Sequence, residues 1–114
     1  MAYVGQKLTF AVQFTDDDSI AANPTTVRFW LREGVDGTEL EWTYAASPVE
    51  GTDYPDGMNP IERDSTGNYH VDWVARKPER VTGFWIGSGT VEQTSQTTFF
   101  VRHSELEAID LYGL

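Results

Sequence analysis

The sequence predicts an all-β fold of two packed layers, and three observations carry that prediction. Short apolar–polar alternations recur along the chain, and period two places the large apolar residues of each on one face. Turn-forming clusters of Gly, Pro, Asn and Asp separate them at the ~8–12-residue spacing of β-sandwiches. The stretch Asp64-Ser-Thr-Gly67-Asn-Tyr69-His-Val-Asp-Trp73 then joins a tight turn directly to an apolar strand.

Leu8 to Thr15 opens the series, with Leu8, Phe10, Val12 and Phe14 on one face and Thr9, Ala11, Gln13 and Thr15 on the other. An acidic loop, Asp16 to Pro24, ends at Asn23-Pro24. Thr25 to Glu33 is the next strand, with Val27, Phe29 and Leu31 opposed to Arg28, Trp30 and Arg32. Gly34-Val-Asp36-Gly37 is a turn, and Thr38 to Tyr44 returns with Leu40, Trp42 and Tyr44 on one side and Glu39 and Glu41 on the other. Arg28 or Arg32 set against Glu39 or Glu41 would support this hairpin by ~0.2–1 kcal/mol per pair. Residues 45–60 hold Pro48, Gly51, Pro55, Gly57 and Pro60, with Tyr54 and Met58 as isolated apolar residues, and form a long irregular loop. Ile61 to Arg63 is a short strand. In the next, Tyr69, Val71 and Trp73 share a face opposite His70, Asp72 and Val74. A basic loop, Ala75 to Arg80, precedes a strand from Val81 to Ile86, which Gly87-Ser-Gly89 bends or starts to bulge. Thr94 to Arg102 is the last strand. About seven antiparallel strands, with Tyr69 two residues past Gly67 in the manner of a tyrosine corner, predict an immunoglobulin-like sandwich over residues 1–103. In such a corner the hydroxyl bonds upstream backbone. Residues 104–114 follow as a docking tail or short helix: Ser104 and Glu107 fit a capping box, and Leu106, Ile109 and Tyr112 lie on one helical face. Too short to be stable alone, the tail is expected to dock on this domain or on a neighbour through Leu106, Ile109, Leu111, Tyr112 and Leu114.

Composition excludes several functions. At 114 residues the chain is one domain. A net charge of −10, from 8 basic and 18 acidic residues, opposes binding to nucleic acid or to anionic membrane surfaces. The absence of Cys removes disulfides and thiolate metal sites. The N-terminus lacks the basic-then-apolar layout of a signal peptide, so retention in a cytoplasm, or release from one by lysis, is expected. No catalytic constellation is legible. His70 and Asp72 share a strand face, but no nucleophile motif accompanies them, and a solvated face accounts for both. His103 is expected at the surface. Asp16-Asp17-Asp18 lacks the Gly and Glu of an EF-hand loop and is expected to be a solvated acidic loop. No cofactor, metal or catalytic residue is assigned. Trp42, Trp73 and Trp85 are expected in the core. Trp30, flanked by Arg28 and Arg32, is the leading contact residue, since aromatics and Arg concentrate at interfaces; cation–π contact with those arginines is the plain alternative.

With the strands placed, residues 5–103 resemble small immunoglobulin-like proteins encoded among the head and tail genes of tailed bacteriophages and prophages. The resemblance runs through Gly5-Gln-Lys-Leu-Thr-Phe-Ala-Val-Gln-Phe-Thr and the acidic loop after it, through Asn23-Pro-Thr-Thr-Val27, and through Arg63-Asp-Ser-Thr-Gly-Asn-Tyr-His-Val-Asp72. It closes with Gly83-Phe-Trp, Gly87-Ser-Gly and Phe99-Phe-Val101. It implies a non-enzymatic virion component, a head decoration or a neck (head–tail connection) protein, made in the bacterial host cytoplasm and docking on capsid, connector or tail subunits in many symmetric copies. The 45–60 loop, with Tyr54 and Met58, and the 104–114 tail are individual to this chain and would be its docking elements. The alternative from another class is a carbohydrate-binding or adhesion module that uses Trp30 and Tyr54 as platforms. A small hydrolase is the third.

Overall fold

The computed structural model describes residues 2–34, 37 and 39–102. Eight strands follow in order: β1 (Ala2–Tyr3), β2 (Lys7–Gln13), β3 (Thr26–Glu33), β4 (Glu39–Thr43), β5 (Glu62–Ser65), β6 (Asn68–Val74), β7 (Arg80–Ser88) and β8 (Gln93–Arg102). No helix occurs among the described residues. The strands form a five-stranded sheet, β1-β8-β7-β3-β4, and a three-stranded sheet, β2-β6-β5. Every pairing is antiparallel except β1 with β8, which is parallel.

Alternation decides which face is inside. Leu8, Phe10 and Val12 of β2, Val27, Phe29 and Leu31 of β3, and Tyr69, Val71 and Trp73 of β6 are buried, and the alternating residues Thr9, Ala11, Arg28 and Trp30 are exposed. The sheets meet through rings. Phe10 of β2 lies 5.1 Å from Phe29 of β3 and edge-on to Phe99 of β8 at 5.2 Å. Phe29 in turn touches Trp42 at 5.3 Å and Trp85 at 4.7 Å. Each buried ring contributes about 1.5–3 kcal/mol by leaving water, and well-set aromatic pairs roughly 0.5–1.5 kcal/mol more. Trp42, Trp73 and Trp85 are all core residues, as their strand positions predict.

The structure departs from the sequence-based expectations at four places. β1 has only two residues and no periodicity to reveal it. It is held at the edge of β8, where the Val4 N–H donates to the Arg102 carbonyl at 2.9 Å. β7 runs nine residues in unbroken register with both neighbours, so Gly87 neither bends nor bulges it. The inward-facing glycines of β7 make room for rings instead. A Cβ on Gly83 would lie 2.6 Å from Phe10 Cδ1 and 2.8 Å from Phe29 Cε1, and one on Gly87 would lie 2.7 Å from Phe14 Cε1. The register shift falls in β5, between Arg63 and Ser65, where Asp64 is the extra residue. Finally, the Tyr69 hydroxyl donates to a side chain, Asn23 Oδ1 at 3.2 Å, and not to upstream backbone. The same oxygen accepts the Gly67 N–H at 2.7 Å, because the Asn23-Pro24 loop crosses the turn just there. Gly67 itself has φ +78°, and a Cβ on it would meet the Phe14 carbonyl at 2.6 Å.

The β3–β4 hairpin forms with Arg32 opposite Glu39, and Arg28 lies opposite Thr43. The 45–60 loop is irregular but tied down. The Thr43 N–H donates to the Asp53 carbonyl at 2.8 Å, and the Trp42 indole N–H to the Asn59 carbonyl at 2.8 Å. Asp36 of the expected turn, His103, and the expected docking tail with Leu106, Ile109, Leu111, Tyr112 and Leu114 lie outside the described residues.

Candidate functional site

The outward residues of β3, β4, β7 and β8 build one continuous surface. Register sets Trp30 between Glu41 and Phe84, Phe84 beside Gln96, and Ile86 between Arg28 and Thr94. Trp30, Phe84 and Ile86 therefore form an apolar patch in the middle of the sheet. Its open groove, about 500 Å³, is walled by Arg32 and Glu39 on one side and by Thr94 and Gln96 on the other. Past Phe84 and Gln96 a second hollow of about 480 Å³ runs on to Arg80, Thr98 and Phe100. Trp30 is 37% exposed and Phe100 65%.

Electrostatics set this face apart. It gathers Arg28, Arg32, Arg80 and Arg102, half of the chain's basic residues, against Glu39 and Glu41, in a chain of net charge −10. Arg32 pairs with Glu39 at 2.6 Å. No described carboxylate pairs with Arg28, Arg80 or Arg102. Guanidinium groups offer planar, forked donors to carboxylates, and an exposed indole offers a broad apolar plane. The face is equipped to hold an acidic, partly apolar partner.

Among the expected contact residues, Arg28, Trp30 and Arg32 share this surface. Tyr54 and Met58 do not: both are half-buried against the core, and Met58 lines a hollow beside Asp72, Trp73 and Arg76. The cation–π contact considered for Trp30 occurs elsewhere, with Arg76 6.0 Å above the Trp73 ring. Arg76 also pairs through its guanidinium with Glu33, which is buried at 4% exposure. The reading from sequence passed over Phe84, Ile86, Arg80 and Phe100 as surface residues. Outward parity in β7 and β8 was the signal for all four.

The outer face of the three-stranded sheet has the opposite character. His70 Nδ1 lies 2.8 Å from Asp64 Oδ2 and His70 Nε2 3.2 Å from Glu62 Oε2, while Asp72 stands off at 3.8 Å. Asp72 instead accepts the Thr9 hydroxyl at 2.6 Å. The partners of His70 are thus on β5, and the extra residue at Asp64 is one of them. Among the described residues no nucleophile stands against the ring, and His70 forms a polar cluster with Glu62 and Asp64 on this face. In the acidic loop, Asp16 Oδ1 accepts the Asp18 and Ile20 N–H groups at 2.9 and 3.0 Å and so closes its own turn. Among the described residues no three His, Asp or Glu side chains converge in a way that could hold a metal ion.

Among the described residues one titratable group is clearly perturbed. Burial raises the Tyr69 phenol above its usual 10.0, against the lowering influence of nearby Arg63. The cause is structural, because Tyr69 is packed between Phe14 and Tyr44. No protein-family model and no curated protein matches the sequence.

Proposed function

We propose that this protein is a non-enzymatic structural component of a tailed-phage particle, a head decoration or neck protein, that docks on other virion proteins through the outer face of its five-stranded sheet. The observation that carries the binding role is the groove itself: an exposed indole, and arginines that pair with no described carboxylate, on one face of an acidic molecule. The virion assignment comes from the resemblance over residues 5–103. The strand order supports an immunoglobulin-like sandwich, with β2-β6-β5 as one layer and β8-β7-β3-β4 as the other, and β1 joining the edge of β8. Many symmetric copies on a particle make individually weak contacts sufficient. Mass spectrometry of purified particles tests the reading, with the copy number of this chain set against the major capsid protein. Hundreds of copies indicate head decoration, and about a dozen or fewer indicate neck or tail. Absence from the particle removes the virion reading.

One observation favours a second reading, a carbohydrate-binding module. Trp30 overlooks a groove with Arg32, Glu39, Thr94 and Gln96 on its walls, an aromatic platform with polar groups beside it. A glycan ligand would change tryptophan fluorescence on addition of polysaccharide, and Trp30→Ala would abolish the response.

A further inference from the structure

We propose that the free edge of β2 receives an extended segment of another protein, which pairs with β2 as a fourth strand of the smaller sheet and lies beneath β8. Four strands end the two sheets, and three of them carry features that block further pairing. β1 has only two residues. β4 carries Glu39 and Glu41, and its Thr43 N–H is taken by the Asp53 carbonyl of the 45–60 loop. β5 is four residues long, three of them charged, and its register breaks at Asp64. β2 has none of these features. It runs seven residues in unbroken register with β6, and Lys7 is its one charge.

Hydrogen-bond parity fixes which backbone groups are open. On the β2–β6 ladder the Phe14 N–H donates to the Gly67 carbonyl at 2.7 Å and the Ala75 N–H to the Gln6 carbonyl at 3.0 Å. Even-numbered residues therefore turn their backbone groups to β6, and Lys7, Thr9 and Ala11 turn theirs off the sheet. One side chain already uses this edge as a strand would. Gln93 accepts the Thr15 N–H through Oε1 at 3.1 Å and donates through Nε2 to the Gln13 carbonyl at 3.1 Å. A residue of a neighbouring parallel strand makes the same pair of bonds.

Below this edge there is room for the side chains of such a strand. β2 lies across from β8, as the Phe10–Phe99 contact and the Gln93 bonds show. The smaller sheet stops there. The inward residues Gln93, Ser95, Thr97 and Phe99 of β8 are only half-buried, whereas Val27, Phe29 and Leu31 of β3 and Val81 and Trp85 of β7 are buried. Apolar residues at alternate positions of the incoming segment would cover Thr97 and Phe99. Its other residues would face outward on the sheet that presents Glu62, Asp64 and Asp72, where lysine or arginine is favoured. A second copy does not fit. β8 and β1 reach past β2 on that side and would meet their counterparts before two β2 backbones came within the ~4.8 Å of a strand pair. Both copies would also carry a net charge of −10.

Amide exchange of the full chain, followed by ¹⁵N NMR, tests the edge directly. In the chain alone the Thr9 and Ala11 amides should exchange freely while those of Phe10 and Val12 are protected. The probe is a seven-residue peptide of alternating valine and lysine, matched to β2 in length, set against one of the same composition with its valines and lysines in two blocks. The alternating peptide should slow exchange at Thr9 and Ala11 by roughly tenfold or more at saturation and shift the Thr97 and Phe99 amides, and the block peptide should do neither. Ala11→Pro removes an outward N–H and leaves the ladder to β6 intact, so it should stay folded and lose the response. Equal effects of the two peptides would reduce the contact to charge attraction and overturn the proposal, as would no effect of either. Protection of Thr9 and Ala11 in the chain alone, constant or rising with concentration, would also overturn it, since the edge would then be filled by this chain or by a second copy. The outer groove of the five-stranded sheet takes no part in this test, so its failure leaves the particle assay unaffected.

Discussion

Asn23 shows how much one side chain carries. Its amide oxygen accepts from both the Gly67 N–H and the Tyr69 hydroxyl, and so ties the loop before β3 to the turn between β5 and β6. Asn23→Ala leaves two part-buried donors without an acceptor and should cost roughly 1–3 kcal/mol in urea unfolding. Gly83→Ala should cost a similar ~1–3 kcal/mol by overpacking, since its methyl would meet the rings of Phe10 and Phe29. Tyr69 makes stability depend on alkaline pH. Its folded-state pKa is raised, so above about pH 10 the unfolded chain releases a proton that the folded chain keeps. The contribution is complete below the ordinary value and is lost as pH rises through the folded-state value. Unfolding at a series of pH values should show stability falling through that range, and Tyr69→Phe should flatten the fall. The sequence marked Tyr69 as inward through its strand parity and Gly67 as a turn glycine. It could not show that Asn23, 44 residues before Gly67, supplies the acceptor, because nothing local to Asn23 differs from an ordinary Asn-Pro loop end.

Among the elements, β7 lies between β8 and β3 and serves both faces of the five-stranded sheet. Its inward positions, Val81, Gly83, Trp85 and Gly87, alternate small and large against the core, while Phe84 and Ile86 carry the outer groove. Strand parity alone was enough to place Arg28, Trp30 and Arg32 together on β3. The groove was not legible, because it depends on which strands lie side by side, and pairing of β7 with both β3 and β8 is a long-range fact. Gly87 of β7 reads as a breaker for the same reason: its purpose lies in the Phe14 ring just past the end of β2. Arg32–Glu39, one of the pairs expected across the hairpin, does span it, yet both side chains are about half exposed. Glu39→Gln should therefore change stability by no more than ~1 kcal/mol. The pair's importance is in shaping the groove wall. Phe84→Ser, outward on the same element, should leave the fold cooperative in urea and weaken binding of whatever partner the face holds.

At the scale of the whole molecule the two sheets turn opposite characters outward. The five-stranded sheet presents arginines and aromatic rings, and the three-stranded sheet presents Glu62, Asp64 and Asp72 around His70. A molecule with one cationic, aromatic face and acidic surroundings is suited to docking in a defined orientation, as the proposed placement on a symmetric particle would require. Association through such a face should weaken with added salt, since exposed charges are screened beyond about 8–10 Å at physiological ionic strength. The measurement that most directly tests this account is the copy number of two variants in purified particles, Trp30→Glu on the five-stranded face and His70→Gln on the other. The account predicts that Trp30→Glu falls by roughly tenfold or more, as for loss of an interface hot spot, while His70→Gln is incorporated like the parent chain. Equal incorporation of Trp30→Glu, or loss of His70→Gln alone, would contradict it.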